Sequence, residues 1–154
     1  MWIEKEEKKY YLDACKYRGV VLKFAKSLNK ETVEQITAFI KYLKKLYFFP
    51  IKVNIKFSDL ERYKDSQDGH IFYAIFFDNE DEKPRRYPEI HIATKIGKHN
   101  PIEDVYFSIA HMLTCYYQWF FKQQESRSHR SLEIEANRWA EYIYHSYLEY
   151  KTLK

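Results

Sequence analysis

The segment Val105–Phe121 carries apolar side chains nearly all the way round a helical wheel. Such a helix is at home in the interior, so it is expected to be central and buried. Pro101 suits its first turn, and Glu103 and Asp104 suit its positive end. The polar stretch KQQESRSHRS follows, and Ser131 offers a cap for a last helix. One stripe of that helix is formed by Leu132, Ala136, Trp139, Ala140, Ile143 and Tyr147. A link this short makes the two helices neighbours, so the C-terminal part should be an antiparallel helix pair.

Upstream the period of the apolar residues changes twice. Residues from about Lys5 to Leu28, with Leu12, Ala14, Val20, Val21, Phe24, Ala25 and Leu28 as the apolar set, read as helix interrupted near Gly19. A clearer helix follows: Asn29 or Thr32 can cap it, Thr32 with Gln35 makes a capping-box pattern, and Val33, Ile36, Ile40, Leu43 and Tyr47 recur at helical spacing before Pro50. Ile51, Val53, Ile55 and Phe57 then alternate with polar residues, which predicts a strand with one wet face. HIFYAIFFDN reads as a strand covered on both faces, NEDEKPRRYP as a turn, and Pro88–Thr94 as a third short strand. With no strand-helix-strand alternation in this stretch, a small, mainly antiparallel sheet of three to four strands is expected. The predicted class is α+β, with N-terminal helices, and residues 1–154 form a single domain. A length of 154 residues and an apolar fraction of 45% suit one core.

Several function classes fall away. The glycines Gly19, Gly69 and Gly97 are far apart, so no glycine-rich loop can cradle a phosphate. Basic and acidic residues are interspersed, leaving a net charge of +4. Lys41, Lys44, Lys45 and Tyr42 share a helix and Arg85 and Arg86 share a turn, which keeps a nucleic-acid-binding protein as a second alternative; a solvated helix face explains the same residues more cheaply, and nucleic acid is not the expected partner. The opening residues MWIEKEEKKYY mix charges where a secretory signal needs an apolar run, and no apolar stretch reaches the roughly 18 residues of a spanning helix. A cytoplasmic protein without a membrane partner is expected. Cys15 and Cys115 lack Cys-x-x-Cys spacing, so each is expected to be a free thiol unless Cys115 serves as a ligand.

Chemistry concentrates on the C-terminal helix pair. In SIAHMLTCYYQWF, His111 and Cys115 stand four apart, on one helix face one turn apart, and both residue types ligate metals. Glu133 borders the small-residue ridge of Ala136 and Ala140, whereas Glu135 should point farther away. Antiparallel packing makes a His111, Cys115, Glu133 constellation sterically accessible, and zinc accepts all three ligand types. His70, His91, His99, His129 and His145 have no ligand spacing among themselves. Each member of the constellation also has a plain structural explanation: core histidine, buried small residue, acid near a helix start.

At PEIHIAT, IAHMLTCYYQW, the polar connection and LEIEANRWAEYI, the chain resembles the HExxH zinc metallopeptidases, more narrowly the ImmA/IrrE-type peptidase-like proteins of phages and mobile elements. The resemblance implies a minimal zincin-like domain, with His111 at the first metal ligand and Glu133 at the third. Met112 stands where the family has its catalytic glutamate, and Cys115 where it has its second histidine. Methionine cannot take a proton from a metal-bound water, and loss of a positioned general base removes about 10²- to 10⁴-fold of rate. A thiolate and a carboxylate together would neutralise Zn²⁺ and weaken its effect on bound water.

The expectation is therefore a catalytically degenerate metallopeptidase-like protein without catalytic residues, which acts by binding a protein or peptide. No cofactor is expected to be needed; zinc at a vestigial His111, Cys115, Glu133 site is what the resemblance would allow. The alternative is a metal-dependent peptidase with an atypical His/Cys/Glu zinc site.

Overall fold

The computed structural model describes residues 1–12 and 18–153. Cys15, expected as a free thiol, lies outside the described residues. The first element is a 3-10 helix, Lys5–Tyr10, followed by strand β1 (Val20–Phe24), helix α1 (Lys30–Leu46), β2 (Val53–Ser58), β3 (Tyr63–Lys64), β4 (Ile71–Phe72), β5 (Ala74–Phe77), β6 (Glu89–Ala93), α2 (Ile102–Phe120) and α3 (His129–Thr152). The architecture is α+β, with N-terminal helical segments, a four-stranded sheet, a separate two-stranded β3–β4 ladder and a C-terminal helix pair.

The sheet runs in the order β1-β2-β6-β5 and is mixed rather than mainly antiparallel. β1 pairs parallel with β2, Leu22 opposite Ile55; β2 pairs parallel with β6, Ile55 opposite Ile90; only β5 runs antiparallel, Phe76 opposite Ile90. The difference begins at Val20–Phe24, which was expected to be helical. With Val20 and Val21 stiff at χ1 and Val20, Leu22 and Phe24 on one side, the segment suits a pleated strand, and α1 becomes the crossover between two parallel strands.

The run HIFYAIFFDN also differs from expectation. It divides at Tyr73: Ile71–Phe72 joins β3, and Ala74–Phe77 forms the half-buried edge of the main sheet, not a strand covered on both faces. β2 matches its pattern, with Val53, Ile55 and Phe57 buried and the residues between them half-exposed. Asn29, one of the two expected caps, holds α1: its Oδ1 accepts from Glu31 N at 2.8 Å. α3 starts three residues earlier than expected, because Ser128 rather than Ser131 caps it, the Ser128 hydroxyl accepting from Ser131 N at 3.1 Å.

α2 is enclosed as its all-round apolarity requires. Val105, Ile109, Ala110, Leu113, Tyr116 and Tyr117 are fully or nearly fully buried in one cluster with Ile36, Phe39 and Leu43 of α1, the inward residues of β2 and β6, and Ala140 and Ile143 of α3. Its polar atoms find buried partners. Trp2 Nε1 donates to Thr114 Oγ1 at 2.8 Å, Tyr117 donates to Phe48 O at 2.7 Å, and the Tyr116 hydroxyl donates to Ile51 O at 2.6 Å while accepting from Ile51 N at 2.8 Å. These bonds fasten the chain's first residues and the α1–β2 connection onto α2, which fixes the frame for the helix pair.

Candidate functional site

Where α2 meets α3, residue pairs run in opposite chain directions: His111 meets Asn137, and Gln118 meets Leu132. The expected antiparallel packing thus brings His111 beside Glu133. His111 Nε2 lies 3.5 Å from Glu133 Oε1, and its Nδ1 lies 3.0 Å from Asn137 Oδ1. Glu133 and Asn137 are one turn apart on α3, so the imidazole is gripped by two successive side chains of the facing helix. The bond to Asn137 Oδ1 puts a proton on Nδ1.

The imidazole is nearly enclosed, with 12% of its side chain exposed, whereas the Glu133 side chain is 50% exposed. The site therefore opens to solvent on its carboxylate side. Phe107, one turn earlier on α2, stacks beside the imidazole at an interplanar angle of 28°, ring centroids 6.4 Å apart.

Cys115 sits one turn beyond His111 as a half-buried free thiol. Burial pushes its pKa from the ordinary 9.0 up to about 12, and the charge of Glu133 acts in the same direction. The donors of ideal tetrahedral zinc lie about 3.4 Å apart, so the 3.5 Å between His111 and Glu133 has a ligand-like spacing. Among the described residues, no group of three or more His, Cys, Asp and Glu side chains converges for a metal. Met112 is half-buried against the hydrophobic core.

The two acids of α3 exchange the exposures expected for them. Glu133, expected to border the buried ridge, is the more exposed; Glu135 is tied inward, its Oε1 accepting from Gln118 Nε2 at 3.0 Å and from Arg127 at 2.9 Å. Arg127 also donates to Ser131 Oγ at 2.9 Å, so Glu135 locks the inter-helix turn and is already engaged. Glu103 is exposed on the first turn of α2. Asn137 is the site residue that sequence reading missed. Its signal was present as the i, i+4 spacing from Glu133, legible only once α3 was known to cross His111 at that height.

β5 forms the edge of the sheet alongside α2, with Phe76 against Trp119, ring centroids 6.1 Å apart. Ala93 N donates to Tyr73 O at 2.8 Å, so by antiparallel alternation Ile75 and Phe77 face β6 with their backbone groups, while Ala74 and Phe76 direct theirs to the open side. Among the described residues nothing pairs with that side.

No described helix is long and apolar enough to cross a membrane. Comparison of the chain with protein-family models, with curated proteins and with solved structures found no match.

Proposed function

We propose that the protein is a catalytically degenerate relative of the zinc-dependent peptidases that acts by binding an extended protein or peptide segment at the open edge of β5. The observation that supports this reading most directly is the set of outward backbone groups of Ala74 and Phe76 on a strand packed beside the site helix. An extended segment can satisfy those groups by pairing as a fifth strand, with affinity from main-chain hydrogen bonds and selectivity from alternate side chains. The identity of residue 112 argues for binding without hydrolysis, since methionine neither accepts nor donates the proton that peptide cleavage requires.

The test uses extended peptides selected from a random display library against the whole protein. Ala74→Pro removes one outward N–H and leaves the ladder to β6 intact. It should weaken the selected peptides about tenfold or more, while an exposed control such as Glu31→Gln should not. Equal binding by wild type and Ala74→Pro would refute the strand-addition reading. Chelator-sensitive cleavage of unstructured peptides by wild type would refute the loss of activity.

The 3.5 Å approach of His111 to Glu133 favours one second reading, an atypical metal-dependent peptidase with Cys115 as the added ligand. It requires stoichiometric zinc in the purified protein, lost from His111→Ala and from Cys115→Ala. Elemental analysis of the three proteins separates it from the first reading.

A further inference from the structure

Away from the His111 pair, the C-terminal end of α1, the first residues of the chain and the middle of α3 border an open cleft of about 300 Å³, lined by Tyr47, Trp139, Tyr142, Glu4 and Arg138. It could hold about ten water molecules. Trp139 and Tyr142 stand at right angles, with 5.8 Å between ring centroids and an interplanar angle of 89°. The far side of Trp139 is backed by Trp2, stacked at 5.9 Å, and Trp2 meets Tyr47 edge-on at 4.7 Å. The aromatic walls are thus held by the buried N-terminal anchor, except for Tyr142, which is 60% exposed.

Glu4 and Tyr47 are paired through a β-bridge, which sets the carboxylate-bearing residue beside the ring. The Tyr47 hydroxyl is raised in pKa by burial first, then by Tyr142, Tyr42 and the Glu4 charge, in keeping with their convergence. Neither Glu4 nor Arg138 forms an ion pair with another described residue, although the Glu4 carboxylate also accepts from the Glu7 backbone N–H in the capping box that opens the 3-10 helix.

The accessible rings of Trp139 and Tyr142, the buried ring of Tyr47 and one carboxylate suit a cation that needs few hydrogen bonds, which is the chemistry of an alkylated ammonium. Arg138 would repel a simple cation but would hold a carboxylate on the same molecule. We propose that this cleft binds a small zwitterion that carries a quaternary ammonium and a carboxylate, the ammonium against Trp139, Tyr142, Tyr47 and Glu4 and the carboxylate on Arg138. The site is separate from the β5 edge and does not depend on how that edge is used.

The probes are glycine betaine, choline, and 3,3-dimethylbutanoate, in which carbon replaces the charged nitrogen of betaine. Each is titrated into the whole protein by calorimetry and by tryptophan fluorescence. Betaine should saturate the site, with dimethylbutanoate bound about tenfold or more weakly for want of the cation and choline weaker for want of the carboxylate. Arg138→Gln should weaken betaine about fivefold to tenfold and leave choline unchanged or tighter. Tyr142→Ala should weaken betaine and choline alike by about threefold, and Glu4→Gln should do the same; both residues are exposed, and an unchanged thermal transition verifies that each variant folds.

Equal affinity for betaine and dimethylbutanoate would overturn the cation assignment. Choline bound as tightly as betaine, or an Arg138→Gln loss shared by both, would overturn the zwitterion and leave an ammonium site for a ligand such as a methylated lysine. No saturable binding of betaine at millimolar concentration would overturn the proposal altogether.

Discussion

Cys115 gives the sharpest test of how the helix pair is built, because two opposite chemistries for one thiol lead to rates that differ by orders of magnitude. The perturbation is alkylation of the folded protein by iodoacetamide, in a Cys15→Ser background so that Cys115 is the sole thiol. Burial, with Glu133 adding to it, raises the Cys115 pKa from 9.0 to about 12. Below pH 9 this leaves about one thousandth of the thiolate that an ordinary cysteine would carry, and the thiolate is the attacking species. The expected rate at neutral pH is therefore about 10³-fold below that of the same protein unfolded in denaturant, with restricted access lowering it further.

The sign of the pH dependence follows: the rate should keep rising tenfold per pH unit beyond pH 9, where an ordinary cysteine levels off. Glu133→Gln removes the carboxylate charge and should speed the reaction by a small factor, since burial is the larger cause. Zinc ligation would give the same slow rate for a different reason, and a chelator distinguishes the two. Release of the thiol to ordinary reactivity by a chelator would refute the packed-thiol account and establish Cys115 as a ligand. Rapid alkylation without a chelator would refute the burial on which the argument rests.

Other expectations follow from the same packing. Thr114→Val keeps the shape but removes the acceptor of the buried Trp2 Nε1–H bond, and should cost about 1–3 kcal/mol by chemical denaturation, whereas Thr114→Ser should retain most of that stability. Cys115→Ala should cost about 1 kcal/mol or somewhat more through lost burial and a small cavity, measured by thermal unfolding and unaffected by chelator. On the outer face of the sheet, burial pushes the Glu89 pKa upward, but hydrogen bonds from His91 and Arg86 and the charges of Lys56 and Arg86 prevail, bringing it down from 4.5 to about 2. The folded state therefore gains stability above pH 4.5 and loses it as pH falls from 4.5 towards 2; Glu89→Gln should flatten that acid limb of a denaturation series. The double change Met112→Glu with Cys115→His should confer zinc binding, read by calorimetry, before any peptide cleavage becomes measurable.

Periodicity was enough to place α1, β2, β6, α2 and α3, because each presents a consistent face over several residues: Val53, Ile55 and Phe57 alternate, and Ile36, Ile40 and Leu43 recur at helical spacing. The short link after Phe121 likewise implied the antiparallel α2–α3 pair, and with it the meeting of His111 and Glu133. Pairing partners were not written locally. Val20–Phe24 has too few residues for its period to distinguish helix from strand, and only the parallel place beside β2 makes it a strand and turns α1 into a crossover. The exposures of Glu133 and Glu135 were equally out of reach, since a small rotation of α3 decides which carboxylate meets Arg127 and Gln118. Sequence spacing could bring His111 and Cys115 to one helical face, but whether a thiol there meets a cation's other ligands or a neighbouring carboxylate depends on the distance across the helix pair. That distance is set by the side chains packed between the two axes, which belong to segments far apart in the chain.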